Sequence, residues 1–260
     1  MMLSPRFRSA ALPCLLIVGA LAASLAGCGG GSGGSGDIGL VMGDTQSVNG
    51  KNVTAWSRIA PDNTVQEVGA TVPLSVFQNP PTSGTGPAGA IAVVSFPART
   101  QATTFFNHLE IHWNPNGHPP AFTMVPHFDL HFYGVPVSDV RAVTAPDPVD
   151  PAADHVPANY VYPPASDVVP EMGRHAHDPN DYQGTFTTKV NVAGFYNGQL
   201  TFVEPTVTQA YLEQKVNFTL SVPRPAVLGR TTRYPTTFTA TYDAATDSYT
   251  FVYSGFTSIQ

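Results

Sequence analysis

The chain has 260 residues, only 12% of them charged, with 12 Lys and Arg against 18 Asp and Glu and a formal charge of −6. So few charges beside 25 Pro and 23 Gly exclude a fold built on long amphipathic helices. The acidic balance, with no basic stripe, excludes nucleic acid as a partner.

The first segment reads as an export signal. Residues 1–27 carry a short basic start, Arg6 and Arg8, then an apolar run from Leu12 to Leu25 and small residues. Leu25-Ala26-Gly27-Cys28 resembles the bacterial lipobox, in which the cysteine is lipidated and becomes the new N-terminus. Residues 28–37, dominated by GGGSGGSG, then read as a flexible tether. The expected location is extracytoplasmic and membrane-anchored. The absence of Asp directly after Cys28 points to the outer membrane, facing the periplasm, or to the cell surface. The two cysteines, Cys14 and Cys28, both fall in this segment. Residues 38–260 therefore carry no disulfide, and any metal there must use His, Asp, Glu or backbone oxygen.

Residues 38–260 read as one all-β domain with one or two short helices, an antiparallel sandwich or barrel-like set of sheets built from hairpins. Asn49-Gly50 and Asn197-Gly198 sit between alternating runs and predict type I′ hairpins. Pro61-Asp62-Asn63 predicts a further turn, and Ala244–Asp247 a longer hairpin loop. Helix is expected only over Val207–Gln214 and as a turn near Thr100–Phe106. Residues 145–182, dense in Pro and Asp, read as a long ordered excursion, since Pro cannot donate to a sheet ladder.

Five of the eight histidines fall between His108 and His131. On a strand, side chains alternate between faces. In HLEIHW, His108, Glu110 and His112 then share one face, and Leu109, Ile111 and Trp113 the other. In HFDLHFY, His127, Asp129, His131 and Tyr133 point one way, and Phe128, Leu130 and Phe132 the other. Asn114-Pro115-Asn116-Gly117 fits a type I turn and sets His118 on a proline-stiffened loop. His175 and His177 close the excursion, and Glu204 precedes Pro205 at the end of the second hairpin.

His118, His127, His131 and His175 are the candidate metal ligands, with Asp129, His177, Glu204 and His112 as additional or supporting groups. Imidazole and carboxylate from separate elements suit a divalent ion, zinc first among them. One objection stands: residues i and i+4 on a straight strand lie ~13 Å apart, which strains a shared ion for His127 and His131. The competing arrangement is a hydrogen-bonded polar network in which Tyr133, Asp129 and Glu110 satisfy the rings without any ion. His155 reads as a loop residue.

The strings HWNPNGHPP, PHFDLHFYG, VPEMGRH, FTTKV…FYNGQLTFVEPTVTQAYLE and RYPTTFTATYD occur in this order. Together they resemble a family of bacterial extracytoplasmic proteins of unknown function, the TTHB-type domain. The resemblance spans about residues 38–256. It implies a β-rich secreted fold and places the family histidines on His118, His127, His131 and His175, with the acidic motif residue at Glu204. This chain departs from the pattern at His112, at Ala176-His177 where a Trp is expected, and at Thr206 where Met is usual.

Two functions follow. One is a non-enzymatic envelope lipoprotein binding a metal or small ligand at the histidine cluster, or acting by assembly with itself or partners. The other is a metal-dependent enzyme of hydrolase or oxygenase type. Ile111-His112-Trp113-Asn114 echoes a string of α-type carbonic anhydrases, the weakest of the enzyme readings. No Gly-x-Ser-x-Gly and no phosphate-cradling glycine loop is present, and the balance leans away from an enzyme.

Overall fold

A computed structural model describes residues 39–84, 86–118, 123–182, 186 and 188–260. The export signal, Cys28 and the tether lie outside the described residues. Gly36–Gln260 form one compact unit.

The chain opens with a meander of β1 (Gly39–Val48), β2 (Lys51–Ile59) and β3 (Val65–Pro73). Asn49 and Gly50 take φ of 49° and 75°, the left-handed pair that a type I′ corner requires. The expected Pro61–Asn63 turn joins β2 to β3. After α1 (Leu74–Gln78) come β4 (Ala92–Ser95) and α2 (Ala98–Thr103). The histidine strands follow as β5 (His108–Asn114) and β6 (His127–Tyr133). Then α3 (Val137–Arg141) leads into the proline-rich excursion, which ends in β7 (Arg174–Ala176). The second type I′ hairpin links β8 (Lys189–Tyr196) to β9 (Gln199–Thr208), with Asn197 and Gly198 at φ of 51° and 75°. α4 (Gln209–Leu212), β10 (Phe218–Leu220), β11 (Thr232–Tyr234), β12 (Thr237–Asp243), β13 (Ser248–Ser254) and β14 (Thr257–Ile259) complete the chain.

The fold is all-β. One six-stranded antiparallel sheet runs β1-β2-β3-β13-β12-β10, a second runs β4-β5-β6-β9-β8-β7, and β11 pairs with β14. The two large sheets face each other across an aromatic core. Phe128 meets Phe77 at 4.9 Å between ring centres, and Phe132 meets Tyr253 at 4.9 Å. Leu109, Ile111, Phe128, Leu130 and Phe132, the apolar halves of β5 and β6, are all fully buried here. Alternation thus commits the other halves, the histidines, to the outer face of the second sheet.

Three expectations need correction. Helix is not limited to the two expected stretches, since α1 (Leu74–Gln78) and α3 (Val137–Arg141) lie outside them. The helix expected over Val207–Gln214 is confined to α4, because Val207 and Thr208 stay in β9 and pair with Phe128 and His127. Thr208 then caps the short helix, its side chain accepting from the Tyr211 N–H at 3.3 Å. Pro205 does not end its strand. The β6–β9 ladder is interrupted between Asp129↔Thr206 and Phe132↔Val203, and the imino acid fits that gap, where no N–H is needed.

The excursion is ordered by a buried cation. Arg174 is fully buried and donates to Asp147 at 2.8 Å, to Asp150 at 2.8 Å, and to the Pro163 and Val149 carbonyls at 3.2 Å. Its guanidinium also lies 4.0 Å from the Tyr162 ring centre. Beside this clamp, β7 pairs with β8 and sets His175 opposite Gly194.

Candidate functional site

Cross-strand register assembles the site. Asn114, His112 and Glu110 of β5 lie opposite His127, Asp129 and His131 of β6. On the other side of β6, Thr208 and Thr206 of β9 lie opposite His127 and Asp129. The register is the same on both sides of the Pro205 gap, so Glu204 falls opposite His131.

The ligand-type side chains gather into two triads, His118–His127–Asp129 and His131–His175–Glu204. In the first, His127 Nε2 lies 3.2 Å from His118 Nε2 and 3.3 Å from Asp129 Oδ1, and His118 Nε2 lies 3.5 Å from Asp129 Oδ2. In the second, His131 Nε2 lies 3.4 Å from His175 Nε2 and 3.5 Å from Glu204 Oε2, and His175 Nε2 lies 3.6 Å from that same oxygen. The four candidate histidines therefore do not meet at one point. The strand spacing that argued against a shared ion for His127 and His131 is resolved by giving each a different partner.

Ring orientation is set from behind. His127 Nδ1 lies 2.7 Å from the Val125 carbonyl, which makes Nδ1 the N–H and leaves the Nε2 lone pair facing the triad. His175 is hydrogen-bonded to the Gly173 carbonyl. His131 Nδ1 is 3.1 Å from His112 Nδ1, and His112 Nε2 is 3.9 Å from Glu110 Oε2. His112 is thus a supporting group behind His131 and belongs to neither triad. His108 continues that row, 3.2 Å from Glu110 Oε1 and stacked on Tyr133. His177, the other extra candidate, stands edge-on to Tyr182 at 5.1 Å, outside both triads. His155 ends a single turn, Ala153–His155, against Gly229.

Burial dominates the electrostatics. It pushes His131 well below the usual imidazole range, helped by the charge of His112. Burial likewise takes His175 down to about 4 despite the opposing charge of Asp129. Both rings are neutral at pH 7, the state that ligates metal. Burial works against the Asp129 anion, but the His118 and His127 nitrogens beside it, with the charges of His127 and His131, outweigh burial and hold the carboxyl well below its usual range. Glu204 moves the other way, raised well above its usual value by burial and then by the charge of Asp129, with which its carboxyl is in contact.

Several contributors went unnoticed in the sequence. Asn114 donates to Asp129 Oδ2 at 2.7 Å, and strand alternation from His108 would have found it. Phe202 packs edge-on against both rings of the second triad, 4.7 Å from His131 and 5.1 Å from His175. Its ring fills the space over Gly194, where an added Cβ would come within 2.0 Å of it. Gly117, by contrast, was expected as the last residue of the turn before His118; it takes φ 65° and donates to the Asn114 carbonyl at 3.2 Å, and an added Cβ would run into the Thr123 carbonyl. Phe186, Val190 and Val192, with Val125 and Tyr182, cover the face as a small apolar cluster. His118 and His175 remain accessible, their side chains 43% and 24% exposed.

Chemically, two imidazoles and a carboxylate in each triad can hold a divalent cation and leave coordination positions for water or substrate. Comparison with protein-family models, with curated proteins and with solved structures finds no match for this chain.

Proposed function

We propose that this chain is a bacterial envelope lipoprotein, tethered through Cys28, that binds divalent metal on the outer face of its second sheet, with zinc the first choice. One observation carries the metal reading. Asp129 Oδ1 and Glu204 Oε2 are buried carboxylate oxygens without a hydrogen-bond partner, on side chains that are 3% and 2% exposed. Glu204 Oε2 faces two imidazole nitrogens, and Asp129 Oδ1 faces that of His127, at coordination-like separations. Leaving such an oxygen unpaired costs about 1–3 kcal/mol or more, and a cation bound there removes that cost. The resemblance to the TTHB-type domain fits this reading, since its motifs carry all four imidazoles and Glu204.

Elemental analysis of protein purified without a polyhistidine tag tests it. The wild type carries stoichiometric metal, and His127→Ala, shown folded by circular dichroism, loses metal. Unchanged metal content in a folded His127→Ala protein would refute the ligand assignment, and a metal-free wild type would refute the reading itself.

A metal-dependent hydrolase or oxygenase is the second reading, supported by the incomplete donor set of each triad. The carbonic-anhydrase echo gains nothing. His112 stands behind His131, Trp113 stacks on Phe128 in the core, and no triad among the described residues contains three histidines.

A further inference from the structure

We infer that the site is dinuclear: two divalent ions bind side by side, one in each triad, with the Asp129 and Glu204 carboxyls between them. This rests on the metal reading and deepens it.

Geometry carries the inference. A tetrahedral ion with bonds of about 2.0–2.1 Å holds its donors ~3.3 Å apart. In the second triad the contacts of 3.4, 3.5 and 3.6 Å join the same three atoms and have that size; in the first, His118 and His127 stand 3.2 Å apart and face the two oxygens of Asp129 at 3.5 and 3.3 Å, as around a carboxylate that offers both oxygens to one ion. Each triad is therefore already one face of a coordination shell, closed without borrowing from the other. A single ion drawing on all four rings would have to pull His127 and His131 together, although an extended strand sets them ~13 Å apart. Each group of rings also has its own orienting contact: the Val125 carbonyl for His127, and the Gly173 carbonyl with His112 for His175 and His131.

Charge supports two ions as well. Two neighbouring cations repel unless anions lie between them. Asp129 and Glu204 contribute one carboxyl to each triad and touch each other where the triads meet. Without cations this is a costly arrangement, two carboxyls buried at 3% and 2% exposure on one face of the sheet. With a cation on either side, both carboxylates are compensated. Glu110 adds a further buried carboxyl behind His131, through His112. The outer donors His118 and His175 are the accessible ones, so each ion has its own route in.

The test is equilibrium dialysis of the untagged full chain against Zn²⁺ alone, followed by elemental analysis, for the wild type, His118→Ala and His175→Ala. These rings are the least buried of the set. His118→Gln and His175→Gln serve as second variants if circular dichroism shows an alanine variant unfolded. The expected result is two zinc per chain in the wild type and one in each variant. Asp129→Asn weakens both ions together. One zinc that either variant abolishes would mean a single shared ion. It would overturn the dinuclear inference and leave the metal reading standing. One zinc sensitive to only one variant would overturn it equally, making the other triad a hydrogen-bonded network. Two zinc that neither variant disturbs would overturn the assignment to these triads. No zinc at all would overturn both readings.

Discussion

The two faces of the second sheet obey different physics although they share the same strands. On the inner face, Leu109, Ile111, Phe128, Leu130 and Phe132 are held by water exclusion and dispersion. That stabilisation is non-directional and independent of any ligand. On the outer face, His108, Glu110, His112, His127, Asp129, His131 and Glu204 are just as buried, but their burial is unfavourable until each polar atom is answered. The lesson is that the inner face supplies the stability with which the outer face can keep an unsatisfied, cation-ready constellation.

The largest expected effect comes from breaking the inner face. Phe132→Ala removes a ring that packs on Phe96, Phe106 and Tyr253 and should lower unfolding free energy by about 3–5 kcal/mol. Urea denaturation should show the same loss with metal and after chelation. A loss that depends on metal would mean the faces are not separable.

Removing the metal comes next. Chelation of the wild type should lower stability by about 1.4 kcal/mol for each ion present at roughly a tenfold excess over its Kd. Thermal scans with and without EDTA check this, and an unchanged midpoint would place the outer face among ordinary hydrogen-bonded networks.

The smallest effect has the opposite sign. In metal-stripped protein, Glu204→Gln should raise stability modestly at neutral pH. Glu204 is raised above its unfolded value when folded. Between those two values the native chain holds a proton that the unfolded chain has released, so stability falls as pH rises. Glutamine keeps an acceptor for Thr206, which donates to Glu204 Oε1 at 2.7 Å, and removes that slope. Denaturation midpoints between pH 4 and pH 8 measure it, and a stripped variant less stable than wild type would contradict the picture.

What the sequence made legible was local. The Asn-Gly corners are decided by two residues, and both turned as expected. The parity of β5 and β6 is decided by alternation, which placed the histidines and the aromatics on opposite faces. The division of the site was not legible, because it depends on where distant chain returns. His175 joins His131 because β7 pairs with β8 and sets His175 opposite Gly194, and no local pattern announces that pairing. Pro205 misled for a similar reason. Its place inside a central strand is tolerable only beside a gap in a ladder formed with β6, a tertiary circumstance.

The Arg174 clamp also bears on timing. His127 and His131 ride on a strand locked between neighbours, whereas His175 sits one position beyond a guanidinium whose partners all belong to the excursion. Local opening of that excursion would strip the second triad of its outer ring and leave the rest of the sheet intact. On the proposed metal reading, residence time in that half of the site is then governed by how often the clamp lets go, a clock separate from the lifetime of the native fold.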